Sequence, residues 1–375
     1  MAEETQRKEE SSVSKTMASI TINLSILGSS SFSFEKLKFI TSSSSSSCGN
    51  QKSFMRAPRF PAIKAGVQPQ KANPKDVRQR RSENVDGDFF VDHTCIDCDT
   101  CRWVAPETFT RVDGMSAVFK QPNCKEDRLQ ALQALVSCPT GSIHTEQSPA
   151  SADLLEAQNS FPIPIDEHKL PGVFHCGFHS LESQGTASYL IIHPEGNILV
   201  DTPKYNEGLA HRIEMLGGVR YMVITHNHKD DIADPGKWSK RLNCDRVLHH
   251  QDVKASTANV EIKLEGNGPW SLASDIMLIH TPGHTEGAVS LFHKSLKVIF
   301  TGDHLIMTKL SGLSILDPFS HSVPKQLKSV EKLLELDFQW IIPAHGRRFE
   351  FKDSQEKNSM IGEFLQTKYS QIPQT

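Results

Sequence analysis

The run Tyr221–Thr225 leads directly into His226-Asn227-His228-Lys229-Asp230-Asp231. A short apolar run of this kind reads as a buried strand. The chain leaves it with imidazoles at i and i+2, followed by two carboxylates. Neutral imidazoles so spaced in a tight turn can reach one metal ion, and carboxylates are hard donors to the same or a second ion. Alone the stretch is weak, because a His at a strand end is more often a hydrogen-bonded core or surface residue. Its force comes from four other strand-like runs that also end in a ligand-type group. Asn197–Asp201 ends in Asp201, and Ile276–His280 leads to Thr281-Pro282-Gly283-His284. Val298–Thr301 leads to Gly302-Asp303, and Trp340–Pro343 to Ala344-His345-Gly346. Imidazoles from separate strands leave a metal one open position for water, and the metal lowers the pKa of that water toward neutrality.

Further strand-like runs are Ser188–His193, Arg246–His249 and Val289–His293. Asp234-Pro235 reads as a capping Asp with Pro in the first turn of a helix running to about Leu242. Val323–Leu336 places Leu327, Val330, Leu333 and Leu334 on one helical face, and Phe351–Gln371 reads as a closing helix. Many strands with helices outside them predict an α/β sandwich. His249, His250, His280 and His293 read as core or surface imidazoles. His304, beside Asp303, is a candidate pocket residue.

With the order HxHxD, GH, GD and AHG at successive strand ends, residues 170–369 resemble the metallo-β-lactamase superfamily. The resemblance implies an αββα sandwich. It implies that His226, His228 and His284 hold a first metal, that Asp303 bridges, and that Asp230 and His345 serve a second metal, Asp230 as the catalytic carboxylate. Asp201 would orient the HxHxD loop. The family's usual metal is zinc, one or two ions. This sequence departs at Asp231, where the family pattern has His. Asp230, Asp231, Asp303 and His345 form a hard, anionic set. Iron or manganese, and a site with one ion or two, therefore stay open.

A second cluster of donors lies upstream: Cys95-Ile96-Asp97-Cys98-Asp99-Thr100-Cys101, then Cys138-Pro139. Three cysteines at this spacing wrap three corners of an iron–sulfur cluster, and a distant fourth followed by proline completes it. Glu126–Val136 reads as the helix that returns Cys138 to the other three. Structural zinc is the alternative, although it usually takes two CxxC pairs. The segment 84–147, including Val104–Phe109, resembles a single-cluster bacterial-type ferredoxin. That implies a small α+β ferredoxin-like domain with a 4Fe-4S cluster on Cys95, Cys98, Cys101 and Cys138. Asp97 and Asp99 stand where small residues are common, and the expectation is that two carboxylates there lower the cluster's potential and weaken it. Cys124 reads as a spare, buried thiol.

Residues 1–80 show no helical or strand period and are expected to be a disordered targeting segment. From Met17 to about Lys64 they are rich in Ser and poor in acids, the composition of a chloroplast transit peptide delivering to the stroma. The acidic stretch before Met17 leaves the true start open. Residues 148–169, with Pro149, Pro162 and Pro164, read as a linker.

The formal charge of −3 over 375 residues offers no basic field for nucleic acid or membrane. No apolar run approaches the roughly 18 residues of a membrane span. With 30 residues after His345, neither a glutathione-binding nor a nuclease domain is expected. The expected function is hydrolysis of an ester, thioester, lactone or similar small-molecule bond by metal-activated water. The alternative is a redox enzyme with a mononuclear iron site, similar to persulfide dioxygenases, coupled to the cluster and to an electron donor or acceptor protein. A non-catalytic sensor is a third reading.

Overall fold

The computed structural model describes residues 78–227 and 234–371. His228, Asp230, Asp231 and residues 1–77 lie outside the described residues. The first part contains β1 (Phe89–Val91), α1 (Thr100–Val104), β2 (Phe109–Val112), β3 (Met115–Val118), α2 (Lys125–Ser137) and β4 (Ile143–Thr145). β1 pairs with β4 and β2 with β3, both antiparallel. Phe89, Val91, Phe109 and Val118 bury one face of these ribbons against Ala131, Leu132 and Ala134 of α2.

The expected linker is not a spacer. Ser151–Asn159 forms α3, whose Leu154 and Ala157 join the apolar cluster of the first part. Phe161 just beyond it is fully buried. The prolines bracket this helix rather than interrupt it. The expected tail also ends earlier than predicted. Arg78 already donates to Asp92 and to the Thr140 and Gly141 carbonyls, and the Arg80 backbone forms an isolated antiparallel β-bridge with Asp92.

The remaining chain folds as two sheets. Strands β5 (Ile163–Pro164), β6 (Val173–His175), β7 (Tyr189–Ile191), β8 (Ile198–Val200), β9 (Tyr221–Val223), β10 (Asp245–His249) and β11 (Ile262–Leu264) form one, in the order β11-β10-β9-β8-β7-β6-β5. The other comprises β12 (Trp270–Ala273), β13 (Ile276–His280), β14 (Val289–His293), β15 (Val298–Gly302), β18 (Trp340–Pro343) and β19 (Phe349–Glu350), in the order β12-β13-β14-β15-β18-β19. A hairpin, β16 (Ile306–Thr308) with β17 (Gly312–Ser314), belongs to neither sheet but bridges Gly346 through Met307.

Period-two alternation sets the layers. Ile191, Ile198, Val200 and Val223 of one sheet meet Leu278, Leu291, Val298 and Phe300 of the other. The opposite faces receive helices. Leu190, Leu199 and Met222 pack on α4 (Glu207–Met215) and α5 (Pro235–Leu242). Phe292, Ile299 and Ile341 pack on α6 (Val323–Leu333) and α7 (Ser354–Gln371). Helix, sheet, sheet, helix is the αββα sandwich expected. Among the described residues no helix is long and apolar enough to cross a membrane.

Candidate metal centre and cluster site

The strand ends that carry His226, His284, Asp303 and His345 come together. His226 Nε2, His284 Nε2 and His345 Nε2 lie 3.5, 3.6 and 3.6 Å from one atom, Asp303 Oδ2. Single donor atoms of His226, His284 and Asp303 fall within 4.8 Å of one another. Two imidazoles and a buried carboxylate at that spacing fit a divalent transition metal, and His345 adds a third imidazole. Gly302 makes the approach possible. At φ +53°, a Cβ there would meet Thr225 Oγ1 at 2.6 Å.

Asp201 reaches His226 through Thr225. Its carboxylate accepts from the Thr225 amide at 2.9 Å and from the Thr225 hydroxyl at 3.0–3.1 Å. The hydroxyl's single proton is thus committed, and at 3.0 Å from His226 Nδ1 its oxygen accepts the Nδ1–H. His226 is fixed in the tautomer whose bare Nε2 faces Asp303. Burial pushes the Asp201 carboxyl up to about 6.

Asp252 was not singled out in the sequence. It is buried, and its carboxylate accepts from the Asn227 amide (2.9 Å), the Thr285 hydroxyl (2.6 Å) and the Gly287 amide (2.8 Å). One side chain thereby ties the turn after His226 to the turn after His284. An Asp in a loop carries no local signature of this, because its partners are remote in sequence.

The cysteines form a second cradle. Cys101 is buried, and Cys95, Cys98 and Cys138 are partly so. The amides of Ser116 and Ser142 donate to Cys95 Sγ (3.4 Å) and Cys138 Sγ (3.3 Å). Burial pushes the Cys98 thiol up to about 11, with the neighbouring Cys138 and Cys95 adding to it. Four neighbouring thiols, two of them met by backbone amides, fit an iron–sulfur cluster, whose irons would hold them as thiolates.

Several expectations around the two sites are corrected. Asp97 and Asp99 are not uncompensated charges. Arg102 and Arg111 hold Asp97 at 2.8 Å, and Asp99 pairs with Arg102 and with Arg347. Both carboxylates sit on residues with left-handed φ, +59° and +65°, which Asp tolerates better than most side chains. Cys124 is exposed and caps α2 by accepting from the Asp127 amide. Asp234 is left-handed and makes no side-chain cap to α5. His304 is buried and does not line the cleft over the metal centre. His249 stacks on His280, ring centroids 4.3 Å apart.

The two sites share one cleft of about 1380 Å³ whose lining includes Cys98 and Asp99 as well as His226, His284, Asp303 and His345. The loop before β7 bridges them. A Cβ on Gly185 would lie 3.1 Å from Cys98 Cβ and 3.2 Å from Pro139 Cγ, so the loop rests on the cluster turn. One residue on, Thr186 Oγ1 lies 3.4 Å from His345 Nε2. Beneath, His179 Nδ1 contacts the Gly185 carbonyl (2.8 Å) and Thr100 Oγ1 (3.1 Å), and its Nε2 meets His175 Nε2 at 2.8 Å. Burial holds both imidazoles neutral.

Comparison with known proteins finds a family for each of the two parts of the chain. Residues 91–145 match the family described as the 4Fe-4S single cluster domain of Ferredoxin I, and residues 183–345 match the metallo-beta-lactamase superfamily. The chain is 22% identical over 160 residues to the "Probable metallo-hydrolase YybB" of Bacillus subtilis, covering 39% of this chain and 73% of that protein. It is 26% identical over 199 residues to a "Beta-lactamase-like protein 2 homolog" of Drosophila melanogaster, covering 48% of this chain and 64% of the fly protein, under two thirds of its length. Among solved structures, the metallo-beta-lactamase from Hirschia baltica aligns with TM-score 0.42 at 17% identity, over 54% of this chain and 95% of that one. Residues 183–345 are thus a domain of the metallo-β-lactamase superfamily, and residues 91–145 a single-cluster 4Fe-4S domain of the ferredoxin I type.

Proposed function

We propose that the chain is a metal-dependent hydrolase that cleaves an ester, thioester or lactone bond of a small molecule. The observation that carries this reading is the convergence of His226, His284 and His345 on one oxygen of Asp303 at the floor of the cleft. In this reading His228, Asp230 and Asp231 complete the donor set, with Asp230 as the catalytic carboxylate. The metal is zinc, one or two ions. A bound metal supplies Lewis acidity to a carbonyl and makes water acidic enough to attack it near neutral pH. The chain's own residues do the positioning. Thr225 holds the His226 tautomer, Asp252 holds the two His-bearing turns together, and Thr186 reaches His345. Water divides its atoms across the broken bond, hydroxyl to the acyl carbon and proton to the leaving group.

A second reading, an iron-dependent redox enzyme served by the cluster and a partner electron carrier, is favoured by one observation: Cys98 lines the same cleft as the metal ligands. Metal analysis of anaerobically purified protein separates the two. Zinc beyond the cluster iron, with turnover of p-nitrophenyl esters or acyl thioesters lost in His284→Ala while the cluster's visible absorption survives, supports hydrolysis. An additional iron lost in the same variant, with no ester or thioester turned over by the parent, overturns it. In the same reading residues 1–80 direct the protein to the chloroplast stroma. A fusion of that segment to a fluorescent reporter that stays in the cytosol refutes this.

A further inference from the structure

The cleft has apolar walls that metal ligation does not require. Ile96, Phe119, Leu181, Leu310 and Phe319 are large apolar side chains left 43–74% exposed, and all five line this cleft. They come from separate segments. Ile96 lies in the cluster turn and Phe119 just after β3. Leu181 lies in the loop before β7, Leu310 at the tip of the β16–β17 hairpin, and Phe319 before α6. Exposing apolar area costs about 25 cal/mol per Å². Its concentration from distant parts of the chain around a concave site is the mark of a binding surface. The cationic groups of the cluster wall are spoken for, since Arg102, Arg111 and Arg347 pair with Asp97 and Asp99. That wall therefore offers apolar area rather than free charge. The cleft also exceeds the roughly 300–1,000 Å³ of an ordinary small-molecule pocket.

We propose that the cluster-binding domain supplies a wall of the substrate site, and that the cleft takes an acyl compound with a long apolar body. The carbonyl reaches the metal centre, and the chain lies along Ile96 and Phe119 of the cluster domain and Leu181, Leu310 and Phe319 of the sandwich. This rests on the hydrolase reading and names its substrate class.

The test is calorimetric titration of the full-length, cluster-loaded protein with hexanoate and with dodecanoate, the carboxylate products of short and long acyl substrates. Dodecanoate is expected to bind at least about tenfold more tightly, and the double variant Ile96→Ala/Phe119→Ala to weaken it about tenfold. The ratio of kcat/KM for long over short p-nitrophenyl esters falls in parallel. Should the Ile96 change disturb the cluster, seen as lost visible absorption, Phe119→Ala alone, outside the cysteine turn, tests the same wall with the same expected direction. Leu155→Ala, an exposed apolar site outside the cleft, leaves dodecanoate binding unchanged. Binding independent of chain length, or dodecanoate affinity unaltered in both cleft variants, overturns the proposal. If the parent hydrolyses no ester yet binds dodecanoate through these residues, the hydrolase reading fails and the apolar wall stands.

Discussion

Arg347 holds Asp99 at two points, Nε to Oδ2 at 2.7 Å and Nη2 to Oδ1 at 3.2 Å. Arg347 lies two residues past His345, and Asp99 follows Cys98 directly. One ion pair therefore joins the segment that carries His345 to the segment that carries Cys98. Asp99 is only 12% exposed and Arg347 26%, so the pair is screened less than a surface bridge. In Arg347→Met, Asp99 keeps Arg102, which limits the cost to about 1–2 kcal/mol. The expected outcome is a lower thermal midpoint and faster cluster bleaching in air, with fold and initial cluster content intact. Unchanged bleaching would show that the pair does not hold the cluster turn in place.

Thr225 is the link between Asp201 and His226, and Thr225→Val removes the hydroxyl at nearly constant volume. Asp201 then loses one donor and His226 Nδ1 its acceptor, so the imidazole is free to take the other tautomer. Loss of such a supporting contact lowers metal affinity about 10–100-fold. Chelator competition measures this, and retained parent affinity would assign the tautomer to some other contact.

The sequence made the buried centre of the fold legible and its edges much less so. The bounds of β13, β14 and β18 agree with the predicted runs because those strands are continuously apolar or alternate cleanly, and their burial is set by their own residues. Strands β5, β11 and β12, at sheet edges, are only two to four residues long, too short to show a period. Helix α3 was hidden by the prolines on either side of it, although Leu154 and Ala157 are spaced to reach α2. At the site, His226, His284, Asp303 and His345 were legible because each closes a strand. Asp252, Thr186 and Arg347 were not, because their roles depend on partners that only the folded chain brings near.

The cluster ligands and the neighbouring spare thiol respond oppositely. Cys98 faces Cys95 and Cys138, whereas Cys124 sits exposed at the start of α2. Cys98→Ser is expected to abolish the visible absorption and the iron content of the cluster. Cys124→Ser keeps both and preserves the cap, because a serine hydroxyl accepts from the Asp127 amide as well as the thiol does. Bleaching in the Cys124 variant, or survival in the Cys98 variant, would overturn the ligand assignment.

Glu261 gives the sandwich a pH-dependent fastening. It lies just before β11, and its carboxylate accepts from Arg246 of β10 through Nε (2.9 Å), Nη2 (2.7 Å) and the backbone amide (2.8 Å). The Arg246 hydrogen bonds pull its pKa down to about 2, below the unfolded value of about 4.3. A carboxyl with a depressed folded pKa contributes its stability above the unfolded value and loses it as pH falls toward the folded one. Because the Glu261 side chain is 37% exposed, solvent screening limits the contribution to about 1 kcal/mol. Glu261→Gln is therefore expected to lower stability by about that amount at pH 7, and the gap to the parent should narrow between roughly pH 5 and 3. Denaturant titrations of both proteins across that range make the comparison. A gap that stays constant with pH would mean that Glu261 fastens β11 by its shape and not by its charge.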